Sequence, residues 1–228
     1  MRRFIPFITE KYAAGGFNYE NEVGNRLKQH GLMSPAKKTA GSSADAPDAE
    51  MTVKGKTHAL EVKAGHSAMM GQLELHHSDE KGWHVSPKSA KKYPATTDYI
   101  HKSGFLEKVN KHWGKPSGDY HTDLKMGNVH DTREGTEGIA AHYHEDRHTP
   151  YMQIKGKGLF HLKHDAADIG TSKLEGNTHL RARMKPRSTD PKTGKRKYGA
   201  LIVMSLKKPN TSSIDLDKHT EQLAQRHE

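Results

Sequence analysis

The chain has 228 residues, enough for one elaborated domain or two small ones, and carries 37 Lys/Arg against 27 Asp/Glu, a formal net charge of +10, with 18 His besides. It contains no cysteine, which excludes disulfides and a cysteine-based zinc site and permits a reducing compartment. Hydrophobic residues make up 32%, and no apolar run approaches the roughly 20 residues of a membrane-spanning helix, so a soluble, folded chain with long polar loops is expected.

Residues 1–17 read as an irregular arm. The apolar run in Met1-Arg2-Arg3-Phe4-Ile5-Pro6-Phe7-Ile8 is too short for a secretory signal and contains Pro6, so a cytoplasmic protein is expected. The first helix is expected from Asn18, its N-cap, to Gly31, its stop. On that helix Glu20, Val23, Leu27 and Gly31 share one stripe and Glu22 faces water. A carboxylate on a buried stripe is costly unless it is paired or binds a cation, although an acid near a helix N-terminus is also favoured by the dipole.

Residues 33–39 hold a proline and two lysines and make a poor strand. The small polar loop Gly41-Ser42-Ser43-Ala44-Asp45-Ala46-Pro47-Asp48 follows. It reads either as a surface linker or as a loop whose amides, at Ser42 and Ser43, approach a phosphate. Of its two acids Asp48 is preferred over Asp45, because it opens a strand and follows Pro47. That strand, a turn at Lys54-Gly55-Lys56 and a second strand from Thr57 to Lys63 make a hairpin. Side chains alternate along a strand, so Glu61 and Lys63 share a face, Val62 points to the core, and the hairpin returns Asp48 beside the pair. Two carboxylates can hold Mg²⁺ or Mn²⁺, and an ammonium beside them can serve an attacking water or a phosphate oxygen. By itself Glu61-Val62-Lys63 is a weak signal whose usual reading is a solvated strand end.

After Ala64-Gly65-His66, Ser67 is a candidate N-cap for a helical run from Ala68 to His77. Gln72 on that run either folds back over the site or is a solvated helix glutamine. A strand is expected at Trp83–Ser86, an irregular connection over 87–104, and a helix from Phe105 to Trp113 with Phe105, Val109 and Trp113 in one stripe. Residues 114–148 look loop-like. His142, His144 and His148 in that stretch are a weak zinc candidate.

From Tyr151 the pattern is β. Tyr151–Lys155 and Leu159–Leu162 flank the glycine turn Gly156-Lys157-Gly158. Thr178–Lys185 alternates, with His179, Arg181, Arg183 and Lys185 on one face and Leu180, Ala182 and Met184 on the other. A polar turn over 186–196 leads to the buried strand Tyr198–Leu206, and a polar helix is expected from Asp215 to Arg226. Between Arg181 and Lys208 there are ten Lys/Arg and one acid, Asp190. Charge concentrated in this way suits a polyanion, with phosphates met by Arg181, Arg183, Lys185, Arg187, Lys195, Arg196 and Lys197. The expected organisation is an α/β core within 1–113, a loop-rich connection over 114–148 and a β-rich basic extension over 149–228.

Glu20, Pro47-Asp48, Glu61-Val62-Lys63 and Gln72, in that order, resemble the motifs of the PD-(D/E)xK nuclease superfamily. Over roughly residues 15–90 the chain is similar to archaeal Holliday-junction resolvases, matching Glu20, Gly31, Ala40-Gly41-Ser42, Asp48 and Glu61/Lys63, while the glutamine after the lysine is similar to viral-type replication-repair nucleases. The resemblance implies a restriction-endonuclease-like core, a mixed sheet flanked by helices. It implies that Asp48 and Glu61, with the Val62 carbonyl and Glu20, hold Mg²⁺ or Mn²⁺. It further implies that Lys63 handles the attacking water, that Gln72 supports the site, and that two subunits cut two strands as a homodimer.

Three functions follow as readings: a metal-dependent nuclease acting on branched or structured DNA, a sequence-specific restriction-type endonuclease, and a non-catalytic nucleic-acid-binding protein. The Arg/Lys strand suits backbone contact better than base reading, which favours the first.

Overall fold

The structure is a computed structural model that describes residues 7–35, 46–189, 193–194 and 196–225. In chain order its elements are α1 (Phe7–Gln29), β1 (Ala49–Val53), β2 (Lys56–Lys63), β3 (Met69–Ser78), β4 (Gly82–Val85), α2 (Pro87–Lys92), α3 (Pro94–Lys102), α4 (Phe105–His112) and α5 (Tyr120–Leu124). There follow β5 (Val129–Glu134), α6 (Glu137–Ala140), a π-helical turn (Ala141–Glu145), β6 (Tyr151–Ile154), β7 (Gly158–His161), β8 (Ser172–Lys173), β9 (Asn177–Thr189), β10 (Arg196–Lys207) and α7 (Thr220–Gln225). The fold is mixed α/β, with two five-stranded sheets. Among the described residues no helix is long and apolar enough to cross a membrane.

Each sheet belongs to one of two compact units, and the units are interleaved along the chain. The first takes Met1–Ala68, Arg147–Glu175 and Pro209–Glu228; the second takes Met69–Asp146 and Gly176–Lys208. The contiguous boundaries expected from the sequence, at 113/114 and 148/149, are therefore not those of the compact units.

In the first unit the strand order is β1-β2-β6-β7-β8. The hairpin β1–β2 turns through two residues, Lys54 and Gly55, both at positive φ (51° and 72°). This left-handed pair matches the twist of a tight hairpin and suits glycine at the second position. The strand β2 then pairs parallel with β6, and β6 antiparallel with β7. The core gathers Tyr19, Val23 and Leu27 of α1, Met51 and Val53 of β1, Leu60 and Val62 of β2, and Leu223 of α7. Val62 thus points into the core as its alternation requires. The helix runs from Phe7 through Gly15 and Gly16, so residues 7–17 are helical and Asn18 is an interior residue, not a cap. Two glycines cost a helix only about 1 kcal/mol each, which the long run on either side outweighs.

In the second unit the order is β4-β3-β10-β9-β5, all antiparallel. One face carries Leu73, Leu75, Leu180, Ala182, Met184, Ile202 and Met204, all buried, together with Ile100, Phe105, Val109 and Ile139 from the helices. Phe105, Val109 and Trp113 are buried as the stripe predicts, with Trp113 capping α4.

The helix expected over Ala68–His77 is instead the strand β3. The ladder with β10 slips between Gln72 and Met69, where two residues of β3, Met70 and Gly71, face the single residue Met204 of β10, and Gly71 sits there at φ 124°. This bulge brings Met70 and Leu73 to buried positions three apart, which imitates helical spacing. The connection over 87–104 is not irregular: Ser86 caps α2 ahead of Pro87, and Pro94 opens α3. Asp146 accepts the backbone N–H groups of Ala95 and Thr96, both at 2.9 Å, and so satisfies the start of α3 from 50 residues away. The stretch 114–148, expected as loop, contains α5, β5, α6 and the π turn. The last helix is shorter than expected, starting at Thr220 rather than Asp215.

A Cβ at Gly71 would stand 2.7 Å from the His142 ring and 2.8 Å from the Met204 methyl, at a φ that side chains rarely adopt. Gly71→Ala should therefore lower stability by about 2 kcal/mol or more, read as a fall in Tm by calorimetry. An unchanged Tm would mean that the bulge is not formed.

Candidate active site

Antiparallel register pairs Ala49 with Leu60, so Asp48, one residue before β1, stands opposite Glu61. The Asp48 carboxylate accepts the Val62 backbone N–H at 2.9 Å, closing the mouth of the hairpin. The strand β2 lies between β1 and β6, and Glu61 is accordingly only 2% exposed. A buried carboxylate must be compensated. Lys63 donates to one Glu61 oxygen at 2.5 Å, and Arg147 donates to the other at 3.0 Å. A second guanidinium nitrogen of Arg147 donates to the Ala46 carbonyl at 2.9 Å. Arg147 thus ties the segment entering β6 to the loop that presents Asp48.

Glu20 reaches the same neighbourhood from α1. Burial raises its carboxyl above the ordinary value, Lys63 opposes that, and Glu61 adds to it. One oxygen of Glu20 is buried and has no hydrogen-bond partner among the described residues. Glu22 is exposed and pairs with Lys155 at 3.6 Å, as the helical stripe predicts. Asp48 is pushed up from 3.8 to about 7, first by burial and then by the charge of Glu61. For Glu61 burial acts upward, but Lys63, then Arg147, and hydrogen bonds from Lys63 and Asp48 outweigh it and leave its carboxyl below the usual range. Of the sequence motif, Glu20, Asp48, Glu61 and Lys63 all belong to the first unit, where Arg147 joins them.

Among the described residues no group of three or more His, Asp or Glu side chains stands ready to hold a metal ion. The donor set fits a divalent cation at the level of a carboxylate pair. Asp48 and Glu61 are adjacent, Asp48 is raised by burial and then by the Glu61 charge, and a buried Glu20 oxygen has no hydrogen-bond partner among the described residues. Mg²⁺ commonly takes one or two carboxylates and fills its remaining positions with water and phosphate.

Gln72 lies on β3, in the second unit, at an exposed strand position paired with Val203. Ser42, Ser43 and Lys195 lie outside the described residues, as does Asp45. Arg181, Arg183 and Lys185 project from one face of β9, as alternation predicts, and Arg187 on the same strand pairs with Glu74 of β3. Arg196 opens β10, with its side chain outside what is described, and Lys197 is exposed. The β9 face continues onto β5, where His130 and Thr132 meet His179 at 3.2 Å and 2.9 Å. The Arg183 guanidinium is shifted down by burial and by Arg181, and its Nε is buried with no hydrogen-bond partner among the described residues. His142, His144 and His148 are not gathered as a zinc site. His142 is buried against Tyr93 and Thr96, and His148 is exposed.

Sequence reasoning missed Arg147, because an arginine 86 residues from Glu61 carries no local signal. It also missed a buried polar network behind the sheet. The Gln153 amide on β6 donates to the Tyr19 hydroxyl at 3.0 Å and to Asp215 at 2.8 Å, while Tyr19 donates to Asp217 at 3.0 Å. Arg26 also pairs with Asp217, so the segment before α7 is pinned to α1 and β6. No protein-family model, curated protein or solved structure matches the chain.

The raised Asp48 carboxyl has a stability consequence. The folded chain holds this proton more tightly than the unfolded chain, so stability is lost as Asp48 ionises with rising pH, and the full cost is reached above about pH 7. Asp48→Asn removes that cost. Without added metal, its Tm should exceed that of wild type by about 5 °C at around pH 8 and by clearly less at around pH 5. A gain of equal size at both pH values would show that the Asp48 charge is not buried.

Proposed function

We propose that the protein is a metal-dependent nuclease that hydrolyses DNA phosphodiester bonds, with its site on β1 and β2 of the first unit and a restriction-endonuclease-like core of the PD-(D/E)xK kind. The observation that carries this reading is Asp48 opposite a buried Glu61, with Lys63 on that carboxylate and Glu20 beside both. A static salt-bridge core needs only Glu61 and its two cations, not Asp48 and Glu20 beside them, whose carboxyls burial and the Glu61 charge both raise.

In this reading Asp48 and Glu61 hold Mg²⁺ or Mn²⁺ with the Val62 carbonyl, and Glu20 contributes directly or through water. The bound cation supplies Lewis-acid polarisation of a phosphate oxygen and of a water. Lys63, held against Glu61 at 2.5 Å, orients the attacking water and stabilises the charge that grows on the phosphorus oxygens. The surrounding core keeps the two carboxylates fixed, so little reorganisation is left for the reacting state. Sheet order supports the same reading, since the strand bearing Glu61 and Lys63 has an antiparallel partner on one side and a parallel partner on the other. The substrate is branched or otherwise structured DNA in replication, recombination or repair. Arg181, Arg183 and Lys185 neutralise phosphates without reading bases. Cutting two strands calls for a homodimer.

Glu61→Gln and Lys63→Ala should each lower Mg²⁺-dependent cleavage by roughly a thousandfold while leaving DNA binding in place. The assay compares a labelled four-way junction, a linear duplex and a single strand, with an EDTA control. Preference for the junction supports a structure-selective nuclease, whereas cutting of one duplex sequence alone points to a restriction-type enzyme. Binding without metal-dependent cutting on all three would sink the structure-selective nuclease and favour a binding protein over a restriction-type enzyme.

Arg181→Ala with Arg183→Ala should weaken binding to unrelated DNA sequences alike and reduce the slope of log K against log salt by about one per residue. A loss confined to one sequence would make these residues base readers.

A further inference from the structure

The cluster on β2 has an unusual feature for a carboxylate read as a cation ligand: both Glu61 oxygens are already taken by cations of the protein. Lys63 occupies one and Arg147 the other. Their side chains are only 15% and 13% exposed, so water screens neither pair well. The two pairings differ in kind. Lys63 is two residues along the same strand and shares its face with Glu61, so it stays beside that carboxylate wherever β2 goes. Arg147 comes from the other end of a long excursion of the chain, and its guanidinium is divided between Glu61 and the Ala46 carbonyl two residues before Asp48.

We propose that Arg147 is a latch on Glu61, a positioning residue whose guanidinium occupies the coordination position that a divalent cation must take. This rests on the reading of Asp48 and Glu61 as the metal-holding pair. The latch accounts for two observations together. The acids of the first unit are not gathered as a ready-made ligand set, because Glu61 is turned to its own cations. One buried Glu20 oxygen has no hydrogen-bond partner among the described residues, while Lys63 and Arg147 both donate to Glu61. With Arg147 on Glu61, the buried charge is balanced and the fold is stable without an ion. When a divalent cation takes that oxygen, Arg147 leaves Glu61 and Lys63 remains. Metal affinity is therefore set low by an internal competitor and not by a shortage of carboxylates. The anchor on Ala46 keeps Arg147 at the site after the exchange.

The test is Mn²⁺ binding to the full-length protein, followed by the loss of the free-ion paramagnetic resonance signal, with thermal unfolding of each variant to verify the fold. Arg147→Gln should bind Mn²⁺ about tenfold more tightly than wild type, the weight of one charge-assisted hydrogen bond removed from the competition. Arg147→Lys keeps the charge without the forked geometry and should fall between the two, and it carries the test if Arg147→Gln does not fold. Glu61→Gln should lose the site. If Arg147 variants bind Mn²⁺ no more tightly than wild type while Glu61→Gln abolishes binding, the latch is overturned and the metal site stands. If wild type and Arg147→Gln both fail to bind, or Glu61→Gln binds as wild type does, the metal-site reading falls and the latch with it.

Discussion

The register of one hairpin governs the chemistry of the first unit. Two residues at positive φ, Lys54 and Gly55, fix the pairing of β1 with β2, and that pairing sets Asp48 against Glu61. Side chains alternate with a period of two, so a slip of one residue would turn Glu61 and Lys63 into the apolar core and bring Val62 out. The core opposes such a slip, because Leu60 and Val62 are packed with Val23 and Leu27 of α1. Hydrophobic burial therefore holds the acids in place without touching them. The Val62 N–H on Asp48 adds a polar fastening at the same point.

The position of β2 between two partners creates the second constraint. An interior strand buries what it carries, and Glu61 cannot be buried as a bare charge. Removing one partner from a buried ion pair typically costs about 3–5 kcal/mol, so Lys63 and Arg147 are requirements of the fold as much as parts of a site. A parallel neighbour also demands a crossover, since parallel strands cannot be joined by a tight turn. Between β2 and β6 the chain runs from Met69 to Asp146 and builds most of the second unit on the way. Arg147 is the residue at which it returns. The same connection that permits the parallel pair thus delivers the cation that neutralises Glu61.

The second unit shows a different division of labour. Its sheet buries one face under helices and leaves on the other a ladder of His, Arg and Lys along β9 and β5. Gly71 lets β3 bulge, and the bulge leaves room for the buried His142 ring beside Met204. Three histidines close in sequence are poor evidence for a metal site in a chain that holds eighteen.

The sequence by itself determined whatever depends on neighbours along the chain. The hairpin carrying Asp48, Glu61 and Lys63 was legible from its turn and from period-two alternation. The glycine hairpin β6–β7, the cationic face of β9 and the stripe of Phe105, Val109 and Trp113 were legible for the same reason. Local patterns failed where local and tertiary preferences diverge. A bulge made Met70 and Leu73 look helical. Two glycines hid the first turns of α1, and the connection over 87–104, read as irregular, holds two helices that open at Pro87 and Pro94. Only the tertiary structure decided that the chain crosses between two sheets several times, that Arg147 pairs with Glu61, and that Gln153 and Tyr19 are joined in a buried network. Each of these joins residues tens to more than a hundred positions apart, brought together because buried charge and buried amides must find partners. That demand selects a partner by position in space, and position along the chain carries no trace of it.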